Sequence, residues 1–271
     1  MSMERVARNG LVLLGCGKMG SAMLQGWLES GMAPGSVHVI DPKPSDWLRA
    51  VGVHLNADLP DAPAIVLIAV KPQMMGDALP SIAAMGGGDT LFLSVAAGTP
   101  IAAFEAAFGA DSPIIRAMPN TPAAVGRGIT AIIGNARSTE AHLALAETLL
   151  SAVGQVVRLD HEAQMDAVTG LSGSGPAYVF YMIEALAAAG EAQGLDADLA
   201  MHLAKATVAG AGVLAESAGE PPDELRRNVT SPNGTTEVGL KVLMDAEHGL
   251  LPLMERTVIA AAERARALRH G

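Results

Sequence analysis

A single cysteine, Cys16, is the only thiol in the 271 residues. One thiol cannot form an internal disulfide, which excludes a disulfide scaffold and fits a reducing, cytoplasmic compartment. Aromatic residues are only 3% of the chain, so the core has to be built from Ala, Val, Leu, Ile and Met. Positive charge is equally scarce: the net charge is -10, and lysine occurs only at Lys18, Lys43, Lys71, Lys205 and Lys241. An acidic surface repels nucleic acid and anionic lipid, so neither is expected as a partner. No apolar run approaches the roughly 20 residues that a membrane-spanning helix needs. Arg5 and Arg8 ahead of Leu11–Leu14 imitate a leader peptide, but Gly15, Gly17 and Lys18 interrupt the apolar stretch. The seven histidines show no metal-ligand spacing, so no metal is expected. What is abundant is apolar material, half of all residues, enough for the packed core of one or two domains.

Strand and helix signals alternate in the first part of the chain. Short apolar runs at Leu11–Leu14, Val37–Ile40, Ile65–Val70, Leu91–Val95 and Pro113–Met118 read as strands, with further strands at Ile129–Ile133 and Gln155–Leu159 around a helix near Thr139–Leu150. Met23, Leu24 and Trp27 share one face of a helix over Met19–Leu28, stopped by Gly31 and Pro34. This alternation predicts an α/β domain with a parallel sheet covered on both faces, over residues 1–159. From 160 to 271 the strand signal vanishes. Ala/Leu/Met-rich helices are expected at Pro176–Gln193, Asp196–Ser217, Thr236–Met244 and His248–Arg269, with Asp196 and Ser231 at N-cap positions and Gly194 and Gly219 at helix ends. The apolar faces of this all-α domain exceed what it can bury alone, so a second copy is expected to cover them.

Gly15-Cys16-Gly17-Lys18-Met19-Gly20 follows the strand ending at Leu14 and opens a helix, the context that a G-x-G-x-x-G needs to bind a dinucleotide. Gly15 permits the tight turn, Gly17 the approach of a pyrophosphate and Gly20 close packing of the helix, whose N-terminus offers free N–H groups to phosphate. Asp41 ends the second strand about twenty residues later, where an acid binds a ribose 2′-hydroxyl and favours NADH. Lys43 and Ser45 follow at once and suit the 2′-phosphate of NADPH, so both cofactors remain open. Ala69, Val70, Lys71 and Pro72 leave the strongest strand at its carboxyl end, where ligands bind in open α/β sheets. Val95, Ala96 and Ala97 end the next strand with small residues that let a flat nicotinamide lie against backbone. Asn120, in the proline-bracketed turn Met118–Pro122, either orients a nicotinamide carboxamide or caps the turn. Gly170–Tyr178 reads as a glycine-rich helix entry or elbow. Ser231-Pro232-Asn233-Gly234-Thr235-Thr236 also precedes a helix; it is a site for a small carboxylate, an N-cap box with Ser231 or Thr235 as cap and Glu237 in the first turn, or both.

In their order and spacing, Gly15–Gly20, Ala69–Pro72, Met118–Pro122, Leu171–Tyr178 and Ser231–Thr236 resemble the pyrroline-5-carboxylate reductase family along essentially the whole chain. The resemblance implies a Rossmann-type dinucleotide-binding domain followed by an all-α dimerisation domain, and a homodimer that assembles further, commonly to a decamer. It implies reduction of 1-pyrroline-5-carboxylate to L-proline by NADPH or NADH. By matching position it puts Asn56 near the adenosine ribose or its phosphate, and Val70, Lys71, Pro72, Ala96 and Ala97 along the cofactor. It puts Ser231, Gly234, Thr235 and Thr236 around the substrate carboxylate and ring nitrogen, with Thr236 as the candidate catalytic residue. The chain departs from many members, which have Ser or Thr near the position of Asp41 and Gly or Ala at the position of Asn233.

Two other classes compete with this reading. A β-hydroxyacid dehydrogenase shares the plan of a Rossmann domain plus helices, but carries a lysine four residues after a G-x-x-G-x-G block. Gly170, Gly173 and Gly175 fit that block, yet the position is Val179, and no lysine lies between Lys71 and Lys205. A non-catalytic NAD(P)-binding scaffold would keep Gly15–Gly20 and have no use for Ser231–Thr236.

Overall fold

The structure, a computed structural model, describes residues 3–268. Eight strands form one sheet: β1 (Leu11–Leu14), β2 (Val37–Ile40), β3 (His54–Leu55), β4 (Ile65–Ile68), β5 (Leu91–Ser94), β6 (Ile114–Met118), β7 (Gly128–Gly134) and β8 (Gly154–Arg158). Their spatial order is β3-β2-β1-β4-β5-β6-β7-β8. The chain starts at β1, winds outward through β2 and β3, then crosses back to β4, so the order reverses between β1 and β4. That reversal is the crevice where doubly wound sheets bind ligands.

The strands are uninterrupted apolar runs because both faces are covered. Leu11, Leu13, Ile65 and Leu67 point into one core cluster, while Val12, Leu14, Val66 and Ile68 point into the other. Successive side chains take opposite faces, and each fully buried Leu or Ile contributes about 2 kcal/mol of transfer free energy. Trp27, from the helix Lys18–Glu29, fills the first cluster; its Nε1 donates to the carbonyl of Leu149 at 2.8 Å and so satisfies the buried indole.

The sheet is not wholly parallel as the strand–helix alternation predicts: β7 runs antiparallel to β6. Only the tight turn around the 3₁₀ segment Thr121–Val125 joins them, too short a link for the dozen or more residues of a parallel crossover. The parallel β7–β8 pair, by contrast, encloses the helix Glu140–Leu150. The two-residue β3 was also not foreseen.

Among the described residues, one compact unit extends to Gly173 and takes back the end of the chain from Ala261; the other is Ser174–Ala260. Residues 160–173, assigned by sequence to the helical part, belong to the first unit for a clear reason. Glu162 accepts from the Ile101 N–H at 2.9 Å and from Arg116 Nη1 at 2.8 Å, and Met165 and Asp166 are buried.

The second unit contains the helices Gly175–Ala192, Ala197–Ser217, Pro222–Asn228 and Thr235–Leu243, and most of Leu250–Leu268. Asp196 caps its helix as expected, accepting from the N–H groups of Asp198 and Leu199. Ser231 does not cap: the N-cap residue is Gly234. The short helix Pro222–Asn228 was not foreseen, because its Pro-Asp-Glu-Leu-Arg-Arg composition has no apolar stripe. Among the described residues no helix is long and apolar enough to cross a membrane.

Candidate active site

The glycine loop turns at the carboxyl end of β1. Gly15 has φ +88, and a Cβ there would lie 2.8 Å from Val70 Cγ1. A Cβ on Gly20 would lie 2.5 Å from the Gly15 carbonyl oxygen, so the helix can start only this close to the turn without a side chain. Gly17 differs. Its backbone is extended, and a Cβ there would meet nothing within 4 Å. No internal contact demands glycine at that position; the space before it is a cradle at the mouth of the helix Lys18–Glu29. Gly17 is that helix's N-cap and provides no side-chain cap, so the first-turn N–H groups and the positive helix end face the cradle. These are the requirements for a pyrophosphate, and the residues fit a dinucleotide.

Leu14, Cys16 and Gly20 are buried, Met19 is half-buried, and Gly17 and Lys18 are exposed at the cradle. Ser21, which sequence reasoning passed over, donates from Oγ to the Cys16 carbonyl at 2.9 Å and braces the loop. Burial pushes the Cys16 thiol up from its ordinary range; a bond from Ser21 opposes this and the Asp41 carboxylate adds to it. The thiol therefore stays protonated and unreactive at neutral pH.

The ends of β1, β2, β4 and β5 meet around this loop. Gly15 N–H donates to Ile40 O at 2.8 Å, Ala69 N–H to Leu14 O at 2.8 Å, and Val95 N–H to Ile68 O at 3.0 Å. Asp41 Oδ2 accepts from the Cys16 N–H and Oδ1 from the Lys43 N–H, both at 2.7 Å. The Asn56 amide accepts from the Asp41 N–H at 2.9 Å and donates to the Asp41 carbonyl at 2.8 Å. The exposed Lys71 and Pro72 follow Val70 off β4 and enter a 3₁₀ turn. Val95 and Ala96 are buried at the end of β5, while Ala97 is exposed. The structure thus brings the predicted cofactor residues of β1, β2, β4 and β5 together at the carboxyl ends of those strands.

Asn120 does not cap the 3₁₀ segment with its side chain, which instead bridges two other segments. Its Oδ1 accepts from the Ile129 N–H at 3.0 Å and its Nδ2 donates to the Ser172 carbonyl at 3.3 Å, so it fastens the β6–β7 turn to the glycine-rich elbow. That elbow is a π-helical turn, Thr169–Gly173, a form often found at functional sites. Beneath it, Arg116 is 2% exposed on β6 and pairs with Glu162 at 2.8 Å. An arginine inside an otherwise apolar strand was the available signal, since a buried guanidinium needs an acid.

The Ser231–Thr236 turn lies in the second unit. Gly234 N–H donates to the Ser231 carbonyl at 3.0 Å, and Asn233 takes φ 60, a left-handed conformation that asparagine tolerates. Glu237 Oε2 accepts from the Asn233 N–H at 2.6 Å and pairs with Lys241 at 3.0 Å, which holds the turn against its helix. Gly234 gives no side-chain cap, and Ser231, Thr235 and Thr236 are exposed. The helix mouth therefore offers uncapped N–H groups flanked by hydroxyls, a complement to a small carboxylate. Among the described residues, no group of three or more His, Cys, Asp and Glu could hold a metal ion.

Two family models match the chain: pyrroline-5-carboxylate reductase dimerisation over residues 162–268, and NADP oxidoreductase, coenzyme F420-dependent, over residues 10–98. A pyrroline-5-carboxylate reductase of Pseudomonas aeruginosa is 38% identical, covering 99% of this chain and 98% of the relative. That of Pisum sativum is 37% identical over 95% of each. Among solved structures, a pyrroline-5-carboxylate reductase of Coxiella burnetii superposes with a TM-score of 0.90 at 33% identity, covering 96% of this chain and 98% of that one. The Plasmodium falciparum pyrroline carboxylate reductase, solved with NADP bound, gives 0.83 at 27% identity, covering 97% and 99%.

Proposed function

The chain belongs to the pyrroline-5-carboxylate reductase family, and from that premise we propose that the Gly17 cradle and the Gly234 helix mouth are the cofactor and substrate ends of one reaction. The reaction is reduction of 1-pyrroline-5-carboxylate to L-proline, the last step of proline biosynthesis, by an NAD(P)H-dependent oxidoreductase acting on a C=N bond. The observation that carries this reading is the uncapped helix mouth at Gly17, held by the tight fit of Gly15 and Gly20 at the carboxyl end of β1, where the strand order reverses.

Bound NAD(P)H supplies the hydride. The N–H groups of the first turn after Gly17, with Lys18, would hold its pyrophosphate, and Val70, Lys71, Pro72, Ala96 and Ala97 would line the rest of the cofactor site. The N–H groups of Thr235 and Thr236 clamp the substrate carboxylate. Thr236 Oγ1 donates a hydrogen bond to the imine nitrogen, which makes the adjacent carbon a better hydride acceptor; the nitrogen takes its proton from solvent as that carbon takes the hydride. No His, Cys or Lys in the substrate turn offers a stronger acid, so rate comes mainly from holding two reactants in line, an effect that supplies roughly 7–11 kcal/mol. The reading requires the two ends to meet in the assembled enzyme, a cytoplasmic homodimer that assembles further, to a decamer as its fullest form.

The decisive assay follows NAD(P)H oxidation on addition of 1-pyrroline-5-carboxylate, with each cofactor in turn. No oxidation with either overturns the proposal. Thr236→Ala should lower kcat/KM for the imine roughly tenfold, the value of one hydrogen bond to a charged transition state, and leave NAD(P)H affinity intact. Unchanged turnover would remove Thr236 from the mechanism.

A further inference from the structure

The carboxylate of Asp41 is fixed more firmly than a side chain at a strand end needs to be. Only 9% of the residue is exposed, and the Cys16 and Lys43 N–H groups bind its two oxygens. Its own N–H and carbonyl are both held by the Asn56 amide, and Asn56 is anchored in turn by its N–H to the Val39 carbonyl at 2.8 Å. Asn56 accepts a left-handed φ of 50 to make this clamp. One acid is thereby pinned directly to the loop that forms the cradle.

The end of the second strand is where a dinucleotide fold meets the adenosine ribose. A carboxylate has acceptors only, so it accepts a hydrogen bond from a 2′-hydroxyl and repels a 2′-phosphate. Of the two groups that suit a 2′-phosphate, Lys43 keeps its ammonium, while Ser45 is engaged: its Oγ accepts from the Leu48 N–H at 3.2 Å as the N-cap of the helix Asp46–Ala50. Asp46 adds a second acid in that helix's first turn, which leaves Lys43 and Arg49 as the cations of the segment, with Arg49 in the last turn.

We infer that Asp41 makes this chain select NADH over NADPH. The inference rests on the reductase reading above and narrows it. The test is direct titration of the full chain, without substrate, by calorimetry with NADH and with NADPH. NADH should bind more tightly by on the order of tenfold or more, about 1.4 kcal/mol, because the fixed carboxylate repels a 2′-phosphate. Asp41→Ser should narrow or reverse the ratio by weakening NADH and strengthening NADPH. Asp41→Asn, which keeps the size and removes the charge, should narrow it even if the serine variant folds poorly. Equal or tighter binding of NADPH by the unaltered chain, or a ratio that neither variant moves, overturns the selectivity alone. Failure to bind either cofactor overturns the reductase reading with it.

Discussion

In the sheet-bearing unit Leu11, Leu13, Ile65 and Ile68 have no exposed surface, and Trp27 and Phe104 are as deeply buried. In the helical unit Tyr181, Val242 and Leu251 each leave about 70% of their surface open. Its fully buried apolar side chains, among the described residues, are only Ala187, Ala200 and Ala204, where the helices Gly175–Ala192 and Ala197–Ser217 press together. The first unit closes its core with its own side chains. The second has pattern enough for a core but not enough chain to cover it, and the dimerisation model spans it. One unit is a finished platform; the other is half of an interface.

That contrast can be broken at four points. The largest effect should come from Gly15→Val. A β-branched residue at φ +88 costs about 2–3 kcal/mol, and its Cβ meets Val70, so NAD(P)H affinity should fall by on the order of a hundredfold in a fluorescence titration. Unchanged affinity would detach the loop from cofactor binding. Next, Phe180→Asp, at a position 57% exposed in the single chain, should leave the sheet unit folded while sedimentation shows the assembly dissociating at micromolar concentration. The comparison fails if the assembly persists, because the open apolar face would then not be the seam. Arg116→Met removes one partner of a largely buried pair and should cost about 2 kcal/mol in denaturant unfolding. This falls below the full figure for buried pairs because Glu162 keeps some access to water.

The smallest effect concerns pH. His38 and His54 stack at 4.4 Å on neighbouring strands. Burial holds the His38 ring below its ordinary 6.5, the His54 ring contributes, and a bond with the Asp58 carbonyl opposes. The folded value lies below the unfolded one, so the associated stability is complete above pH 6.5 and is lost as pH falls through the folded value. A thermal melt of the sheet unit should shift slightly downward between pH 7.5 and pH 5.5, and His38→Asn should flatten that shift.

Much of this was legible from the residues themselves. Two-face burial makes continuous apolar strands, so β1, β2, β4, β5 and β6 could be read within a residue or two. The turn glycines announced the cradle because no other residue fits Gly15 or Gly20. The antiparallel β7 was hidden because a strand's direction depends on the length of its connection, not on its composition. Tertiary hydrogen bonding was not legible: the amides of Asn120 and Asn56, which suit a ligand, also bind backbone. No local pattern distinguishes the two uses. The extent of the first unit was likewise set by Glu162 reaching Arg116, a pairing across distant parts of the chain.

The chain leaves the first unit after Gly173 and returns to it at Ala261. On return it buries Ala265, brings Arg266 to within 3.7 Å of Asp166 and sets Leu268 beside Gly98. During synthesis the sheet therefore emerges before the segment that packs on Asp166 and Gly98, which arrives only after the whole helical excursion has been made. Maturation of the nucleotide platform is thus tied in time to completion of the segment through which two copies join.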